Sequence, residues 1–491
     1  MPSIESNRKL VTGSFWISVS EGFTAIASLA TAIIAARVLA PEDFGLMGII
    51  FLVLAILEAF TRTGFERALI QKQDDPTPYL NVAFTWHLGR GVLLAVAMFL
   101  AAPFVAAFYD EPILAPTLAF AGLYVLFIGA KNPGEIFFTR DLNFKVVCAI
   151  NVARSLLKLF VAIPAIFILQ NVWALAIEFV VGALAALVIS YVAHPFRPRL
   201  EWDWPRAKEL IKFGKWIFGL TILGFFMNKG DDLFLSKYMG AVALGLYYYA
   251  FEISNWPATK VTHVLSRVSF PTYSRLQDNP EELRRAFTNV MRATLLITGP
   301  LSVAIFVLAP YLVTFVIGPQ WQPIVPLIQI LVIAGMVRSF QALGGALFQA
   351  CGNPGLDFKM NLPRAAVLLL TIWPLTAHFG LAGACLSVVL ALAVSLPVWF
   401  YGVRTYSGLR LRDVFRENIL AFITSAVLFC TLAGLDAYLF AALPTWYGAL
   451  ATVVGGLALW AGLMYLIGRV SPWKLYREVL NLKAVLTKQQ R

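Results

Sequence analysis

Three cationic side chains lie inside long apolar segments, where a charge is costly. Arg154, Lys158 and Arg338 each fall within a segment that is otherwise largely apolar. A charged side chain at the centre of a bilayer costs roughly 2.5–3.5 kcal/mol on insertion scales, so it usually faces a protein interior or a wet cavity. Each cation therefore needs an anion, which is either a substrate group such as phosphate or an acid in a neighbouring segment. The acids that could pair with Arg338 are Glu21, Glu178 and Glu252.

Polar stripes follow one face of two predicted helices. The first apolar segment carries Ser14, Ser18, Glu21, Thr24 and Ser28, and the seventh carries Thr221, Gly224, Asn228, Asp231 and Asp232. Spacings of three and four residues place each set on one helical face. Stripes of this kind either line a shared cavity or hydrogen-bond neighbouring helices. Asp231 and Asp232 could also lie in the outer headgroup region beside Lys229.

Three further acids lie within apolar segments. Glu58 stands four residues before Arg62, a spacing that forms an ion pair on one helix. That pair either has a gating role or is a structural salt bridge at the cytoplasmic end of the helix. Glu178 and Glu252 are the remaining acids near mid-segment. An acid at that depth either carries protons or is a paired structural carboxyl.

The elements that hold these residues are predicted membrane spans. The chain of 491 residues is 59% hydrophobic and 13% charged, whereas a soluble domain is roughly 25% charged. A helix needs about 20 apolar residues to cross a bilayer, and the segments predict an all-α integral membrane protein with about fourteen such helices. The predicted spans lie near residues 14–36, 44–61, 83–108, 113–130, 147–169, 172–193, 213–234, 243–260, 292–316, 324–349, 364–379, 381–401, 417–440 and 446–468.

Lys and Arg are distributed asymmetrically among the connections. With the N-terminus inside, all but six of the 39 lie in the inner connections or at the span ends beside them. Three of the six are Arg37, Lys229 and Lys237 in outer loops, and three lie within spans. Positive charge stays cytoplasmic during insertion, so both termini are predicted inside. Insertion and anionic lipid then explain the net charge of +12, and no nucleic-acid partner is expected.

Several kinds of site are not expected. The sequence has no GxxxxGK[ST] phosphate loop, no HExxH pair and no GxSxG turn, which argues against ATP hydrolysis and against these enzyme classes. The outer loops are too short for a catalytic domain. The cysteines form no CxxC or Cys/His cluster, so we predict no disulfide, no metal site and no cofactor. They are Cys148, Cys351, Cys385 and Cys430.

An internal repeat relates residues 200 positions apart. The matching pairs include Trp16 with Trp216, Arg37 with Lys237, and Gly45-Leu46 with Gly245-Leu246. The repeat predicts two parallel six-helix lobes around a central cavity, plus two C-terminal helices. The predicted parts are an N-terminal lobe at 1–194, a cytoplasmic linker at 195–212, a C-terminal lobe at 213–401, two helices at 402–468 and a cytoplasmic tail at 469–491.

Two helix starts are predicted outside the spans. Asn279 precedes Pro280 and two glutamates, which suit the N-cap, the first helical position and the first turn. Ser471-Pro472 begins the tail in a similar way. The tail interleaves leucines with basic residues, which is typical of an amphipathic helix on a membrane surface.

Several motifs resemble those of the WzxC-like polysaccharide exporters. They are Gly64-Phe65-Glu66-Arg67-Ala68-Leu69-Ile70-Gln71, Asn228-Lys229-Gly230-Asp231-Asp232, Leu244-Gly245-Leu246-Tyr247 and Phe270-Pro271-Thr272-Tyr273-Ser274-Arg275-Leu276. That group belongs to the Wzx flippases of the multidrug/oligosaccharidyl-lipid/polysaccharide superfamily. The resemblance covers nearly the whole chain and implies the same fold of two six-helix lobes and two C-terminal helices.

The resemblance implies flipping of undecaprenyl-pyrophosphate-linked oligosaccharide to the outer leaflet of the bacterial cytoplasmic (inner) membrane. The residue roles follow from polarity and depth and not from the resemblance. The predicted substrate contacts are Arg154, Lys158, Arg338, Arg37 and Asn228. The residues predicted to couple transport to protons or sodium are Glu21, Glu58, Asp231, Asp232 and Glu252. The partners implied are the lipid-linked oligosaccharide, membrane lipid, a polysaccharide polymerase and glycosyltransferases.

Three other functions stay open at this point. A drug/cation antiporter of the same superfamily would favour an acidic, aromatic cavity, whereas the cations within the spans favour an anionic substrate. A peptidoglycan-precursor flippase is close in kind, but the quoted motifs fit the exporters better. A membrane polysaccharide polymerase usually presents a sizeable outer loop, and the outer loops here are short.

Overall fold

The computed structural model describes residues 4–61, 77–141, 143–204 and 229–442, with a few isolated positions between 447 and 462. The chain forms two compact units. The first unit comprises Met1–Tyr248 with Ile317–Trp321, and the second comprises Tyr249–Val316 with Gln322–Arg491. The predicted linker lies partly outside the described residues, so the predicted lobe boundaries stay a prediction.

The described residues form fourteen α-helices. In the first part of the chain they are α1 (Ile4–Val38), α2 (Pro41–Thr61), α3 (Thr77–Tyr109), α4 (Leu114–Gly129), α5 (Ile136–Arg140), α6 (Phe144–Leu169), α7 (Val172–Ala193) and α8 (described over 229–238). They continue as α9 (Gly240–Trp256), α10 (His263–Leu276), α11 (Pro280–Tyr311), α12 (Val325–Ala350), α13 (Pro354–Ser407) and α14 (Leu411–Ala442). The turns Pro133–Glu135 and Pro319–Ile324 are 3₁₀, and Pro257–Thr262 and Leu312–Ile317 are π-helical.

Within the described residues, eight helices are long and apolar enough to cross a membrane. The count is nine if α4 and the bent segment Pro133–Arg140, at 57° to it, form one broken span. α13 has 54 residues, or roughly 80 Å, more than twice a hydrocarbon core of about 30 Å. Gly380 breaks it with φ 57° and ψ −140°, between two of the predicted spans. The total of fourteen spans stays a prediction.

Asparagines begin several of these helices. The Asn279 side chain accepts a hydrogen bond from the Glu282 N–H at 3.3 Å, which confirms the predicted start of α11. Asn171 accepts from the Trp173 N–H at 3.0 Å at the start of α7. Each carbonyl oxygen satisfies one of the backbone donors that a helix leaves open at its N-terminus.

α2 and α9 approach so closely in the first unit that only glycine fits. A Cβ atom on Gly45 would lie 1.7 Å from the Ala241 carbonyl oxygen, and one on Gly245 would lie 1.9 Å from the Pro41 carbonyl oxygen. The two contacts are reciprocal across the 200-residue repeat. We refer to Pro41, Gly45, Ala241 and Gly245 as the glycine crossing.

The end of α1 is bound by a turn from later in the chain. Trp321 is fully buried, and its Nε1–H donates to the Ala36 carbonyl at 2.8 Å. Gln320 Nε2 donates to the same oxygen at 2.7 Å. The Trp321 ring also packs edge-on against Phe44, with centroids 5.2 Å apart. These bonds satisfy a carbonyl at the C-terminal end of α1, which has no helical partner there.

The end of α8 is bound in a matching way by the end of α3. Ser236 corresponds to Ala36 in the repeat, and its hydroxyl lies 3.0 Å from that of Tyr109. Lys237 donates to the Phe108 carbonyl, and its ammonium lies 4.3 Å from the centre of the Phe108 ring. In both repeats the end of the first helix is therefore bound by aromatic residues, which lie at the end of α3 in one case and in the turn Pro319–Ile324 in the other.

The second unit has an aromatic core and a firmly attached C-terminal helix. Tyr273, Phe287 and Trp399 are fully buried in one cluster. α14 packs along α11, where the buried guanidinium of Arg292 lies 2.7 Å from Glu417 and also donates to the Glu417 carbonyl. The single guanidinium of Arg292 therefore bonds both the side chain and the backbone of Glu417 on α14.

Candidate functional site

α6 carries the two predicted cations of the fifth span on one face. Asn151, Arg154, Ser155 and Lys158 recur at spacings of three and four residues along it. Arg154 lies about ten residues into the helix, or roughly 15 Å along its axis. Both cationic side chains are half-buried.

α1 faces these cations with hydroxyl groups. The hydroxyls of Thr24 and Ser155 lie 3.1 Å apart. Beside this contact, residues of α1 and α6 line a pocket of about 130 Å³, which we call the helix pocket. Its polar lining residues are Thr24, Ser28, Thr31, Arg154, Ser155 and Lys158. The structure therefore brings together the predicted stripe of the first span and the predicted cations of the fifth, whereas Glu21 on α1 is exposed.

Both cations have acidic partners. Lys158 Nζ lies 2.8 Å from Glu178 Oε1, which leaves Glu178 a paired carboxyl. Arg154 donates to Glu135, in the turn that follows α4. Each group in these partly buried pairs has lost part of its water. The attraction between the two charges offsets that cost only if their geometry is good.

A second polar pocket adjoins Arg154 at the end of α6. Its volume is about 260 Å³, and we call it the loop pocket. Its polar lining residues are His87, Lys131, Asn132, Glu135, Thr139, Asn151 and Arg154. It lies beside basic connections, at the end of the unit that the charge pattern predicts to be cytoplasmic.

The turn that carries Glu135 is fixed by its neighbours. The buried Asn132 accepts from the Gly134 N–H at 2.9 Å and donates to the Phe196 carbonyl at 2.7 Å. Gly134 is required because a Cβ atom there would lie 2.3 Å from His194 Nδ1. That nitrogen accepts from the Phe196 N–H at 3.1 Å, and burial lowers the pKa of His194.

Sequence reasoning missed Lys131, Asn132 and Glu135. They lie in a connection, so an argument from charge inside apolar segments passed over them. The available signal was the run Asn132-Pro133-Gly134-Glu135, a turn that ends in an acid within a basic loop.

The two acids of the seventh span have different surroundings. Asp232 pairs with Lys229 at 2.6 Å, the arrangement expected for a headgroup-level position. Asp231 is only 5% exposed and accepts a hydrogen bond from the Tyr247 hydroxyl. Its Oδ1 is buried with no hydrogen-bond partner in the described part of the chain. The polar residues 221–228 of the same predicted stripe, Asn228 included, lie outside the described residues.

Arg338 lies in the second unit, where its guanidinium sits over the ring of Phe251 at 4.5 Å from the centroid. This is a cation–π contact, which is stronger where water is excluded. Gln341, one turn away, is buried and donates to the Leu392 carbonyl and to Ser395 Oγ at 3.0 and 2.7 Å. Glu252 is exposed.

The remaining predicted site residues are dispersed. Arg37 is exposed at the end of α1. Glu58 is half-buried in α2, and its predicted partner Arg62 lies outside the described residues. Only Arg154 and Lys158, of the predicted substrate contacts, share one pocket within the described residues.

A family described as "Polysaccharide biosynthesis protein" matches residues 34–326, more than half of the chain. The chain belongs to this family. The matched residues include the glycine crossing and the helices α3 to α7 and α9 to α11. They also include the residues that α3 to α7 contribute to the two pockets. The resemblance to polysaccharide exporters predicted from the motifs is thereby confirmed.

Two relatives are similar over most of their length. "Lipopolysaccharide biosynthesis protein WzxC" of Escherichia coli (strain K12) is 23% identical over 72% of each chain. "Teichuronic acid biosynthesis protein TuaB" of Bacillus subtilis (strain 168) is 24% identical over 75% of this chain and 76% of its own.

Solved structures of two transporters share the fold. "Lipid II flippase MurJ, inward closed conformation" aligns with a TM-score of 0.71 and 13% identity, over 92% of this chain and 98% of its own. An inward-facing multidrug resistance MATE transporter of the MOP superfamily aligns with a TM-score of 0.59 and 15% identity, over 81% and 98%. The predicted all-α membrane fold is confirmed, and this family member is a multi-pass membrane protein.

Proposed function

We propose that this protein flips an undecaprenyl-pyrophosphate-linked oligosaccharide across the bacterial cytoplasmic membrane, with both of its termini cytoplasmic. The observation that carries the proposal is the helix pocket, where Arg154 and Lys158 lie among hydroxyl groups within a membrane-spanning bundle. The family supports a role in polysaccharide biosynthesis, and the shared transporter fold supports transport in place of catalysis.

The chemistry of the pocket suits an anionic head group. Arg and Lys form charge-assisted hydrogen bonds with phosphate, and Arg can form two in parallel. Glu135 and Glu178 hold the two cations nearly neutral when no substrate is bound. A pyrophosphate that displaced them would keep both cations paired with an anion. Membrane potential also helps, because two negative charges moving outward gain roughly 4–5 kcal/mol per 100 mV.

Asp231 is the coupling acid that the geometry supports best. It is buried, and one of its oxygens is unpartnered among the described residues, so it can accept a proton or a small cation. Asp232 is already paired with Lys229. Glu21, Glu58 and Glu252 remain candidates for the same role. Polysaccharide polymerase and glycosyltransferases are the proposed functional partners.

The test uses cells that lack this protein and retain the enzymes that build the glycan. We expect surface polysaccharide to disappear while lipid-linked oligosaccharide accumulates on the inner leaflet. Repeat units already present on the outer leaflet would contradict the proposal and indicate a defect in polymerisation. Unchanged polysaccharide, with altered sensitivity to cationic drugs, would indicate the drug/cation antiporter instead.

A further inference from the structure

Two cations converge on a single carboxylate in the loop pocket. Lys131 Nζ lies 3.2 Å from Glu135 Oε2, while Arg154 donates to Glu135 Oε1. The side chains of Lys131, Arg154 and Glu135 are 28%, 21% and 17% exposed, respectively. The group carries one net positive charge and is open to solvent on the side of the pocket.

The two cations have more donors than Glu135 uses. A guanidinium has five N–H donors in a plane and an ammonium has three. The Nε of Arg154 is buried and has no hydrogen-bond partner in the part of the chain that the structure describes. Both groups can bind Arg through two parallel bonds, but a carboxylate offers two oxygens, whereas a phosphate group offers three or more. A phosphate therefore matches this donor set better than Glu135 does.

The backbone under Glu135 does not need to move for an exchange of anions. Asn132 is bonded to Ser190, Phe196 and Gly134, and Gly134 packs against the imidazole of His194. A fixed turn leaves rotation of the Glu135 side chain as the movement that opens the site. Glu135 then keeps its own contact with water, because it starts from a partly exposed position.

The size and lining of the loop pocket suit a head group. Its volume of about 260 Å³ is below the roughly 300–1,000 Å³ of a pocket for a drug-sized ligand. Besides Lys131, Glu135 and Arg154, it presents the neutral polar side chains of Asn151 and Thr139. A phosphate group fits such a space, whereas a whole oligosaccharide does not.

We infer that the loop pocket is the entry site for the phosphate group of the lipid-linked substrate, and that Glu135 occupies this site until the phosphate displaces it from Lys131 and Arg154. The inference rests on the proposed function for the identity of the substrate. Arg154 also lines the helix pocket, so it connects the entry site with that second pocket. Glu135 thereby excludes weak anions that cannot outcompete it.

The test is calorimetric titration of inorganic pyrophosphate into the purified full-length protein in a neutral detergent. We expect Glu135→Gln to bind about tenfold or more tightly than wild type, because the competing carboxylate is gone. Lys131→Gln should weaken binding by a similar factor. The control is Glu111→Gln, which makes the same change of charge at a half-buried position in the loop at the other end of α3. Gel filtration and thermal unfolding of each variant show that it is folded.

Equal affinities for Glu135→Gln, Glu111→Gln and wild type would overturn the inference. A second arm repeats the titration in phosphatidylcholine vesicles with and without phosphatidylglycerol. We expect no competition from phosphatidylglycerol, and competition would assign the site to bulk-lipid phosphate and overturn its role in substrate entry. Equal pyrophosphate affinities refute the entry site alone, whereas unchanged polysaccharide in cells without the protein refutes the proposed function alone.

Discussion

The loop pocket and the glycine crossing lie near opposite ends of α3 and are held together by opposite means. In the loop pocket, Lys131, Glu135 and Arg154 meet through charge and leave room beside them. At the glycine crossing, Gly45 and Gly245 bring two backbones together and leave no room. Ion pairs beside a cavity can exchange partners, whereas two backbones in contact can only stay together or separate. One region is therefore suited to binding and the other to holding helices.

The largest expected effect comes from adding one methyl group at the glycine crossing. In Gly45→Ala the new Cβ would lie 1.7 Å from the Ala241 carbonyl oxygen, a backbone atom that cannot rotate away. We expect a loss of about 3 kcal/mol or more of folding free energy, measured by unfolding in detergent. The matched control is Gly89→Ala on α3, where a new Cβ atom would meet nothing within 4 Å apart from the adjoining backbone of its own helix. It should change stability by about 1 kcal/mol or less, in the favourable direction.

The second effect concerns transport more than stability. Arg154→Gln removes the cation that lines both pockets, so surface polysaccharide should fall about tenfold or more at an unchanged protein level. The control Arg285→Gln breaks an exposed ion pair with Glu281 and should leave export unchanged. Normal export by Arg154→Gln would remove Arg154 from the proposed site.

A third variant weakens the bond at the end of α1 without a clash. Trp321→Phe loses the 2.8 Å hydrogen bond to the Ala36 carbonyl and leaves part of the ring volume empty. Gln320 still donates to that oxygen, so we expect a loss of only about 1–2 kcal/mol in the unfolding free energy. Trp373→Phe, at a ring that is 56% exposed, should change it by less than about 0.5 kcal/mol. An equal loss in both variants would show that the Ala36 bond contributes little.

The smallest effect is a pH dependence of the turn below the loop pocket. Burial lowers the pKa of His194, so below the ordinary histidine value of about 6.5 the unfolded chain takes up a proton more readily than the folded one. Stability should therefore decrease as the pH falls through 6.5. Thermal unfolding of wild type and His194→Gln at pH 7.5 and 5.5 measures this, and the variant should lose less. An equal loss in both proteins would assign the effect to other groups.

Local sequence rules predicted the elements well and the site in part. The Asn279 cap, the break near Gly380 and the shared face of Arg154 and Lys158 follow from short-range patterns. The meeting of the first-span hydroxyls with these cations was not predicted. Glu178 was predicted as a proton carrier or a paired carboxyl and as a possible partner of Arg338, whereas the structure pairs it with Lys158. Glu135 was missed, because charge in a connection looks like ordinary surface charge until the fold brings it to Arg154.

The sequence by itself determined that the chain crosses a membrane many times, that a helix begins after Asn279, and that Arg154 and Lys158 share one helical face. Those properties depend on hydropathy, capping and spacing, which act over a few residues. Tertiary structure alone decided that Glu135 reaches Lys131 and Arg154, and that Gly45 and Gly245 make reciprocal contacts. Such choices depend on which distant segments share space, and a separation of about 200 residues between contacting backbones leaves no local pattern.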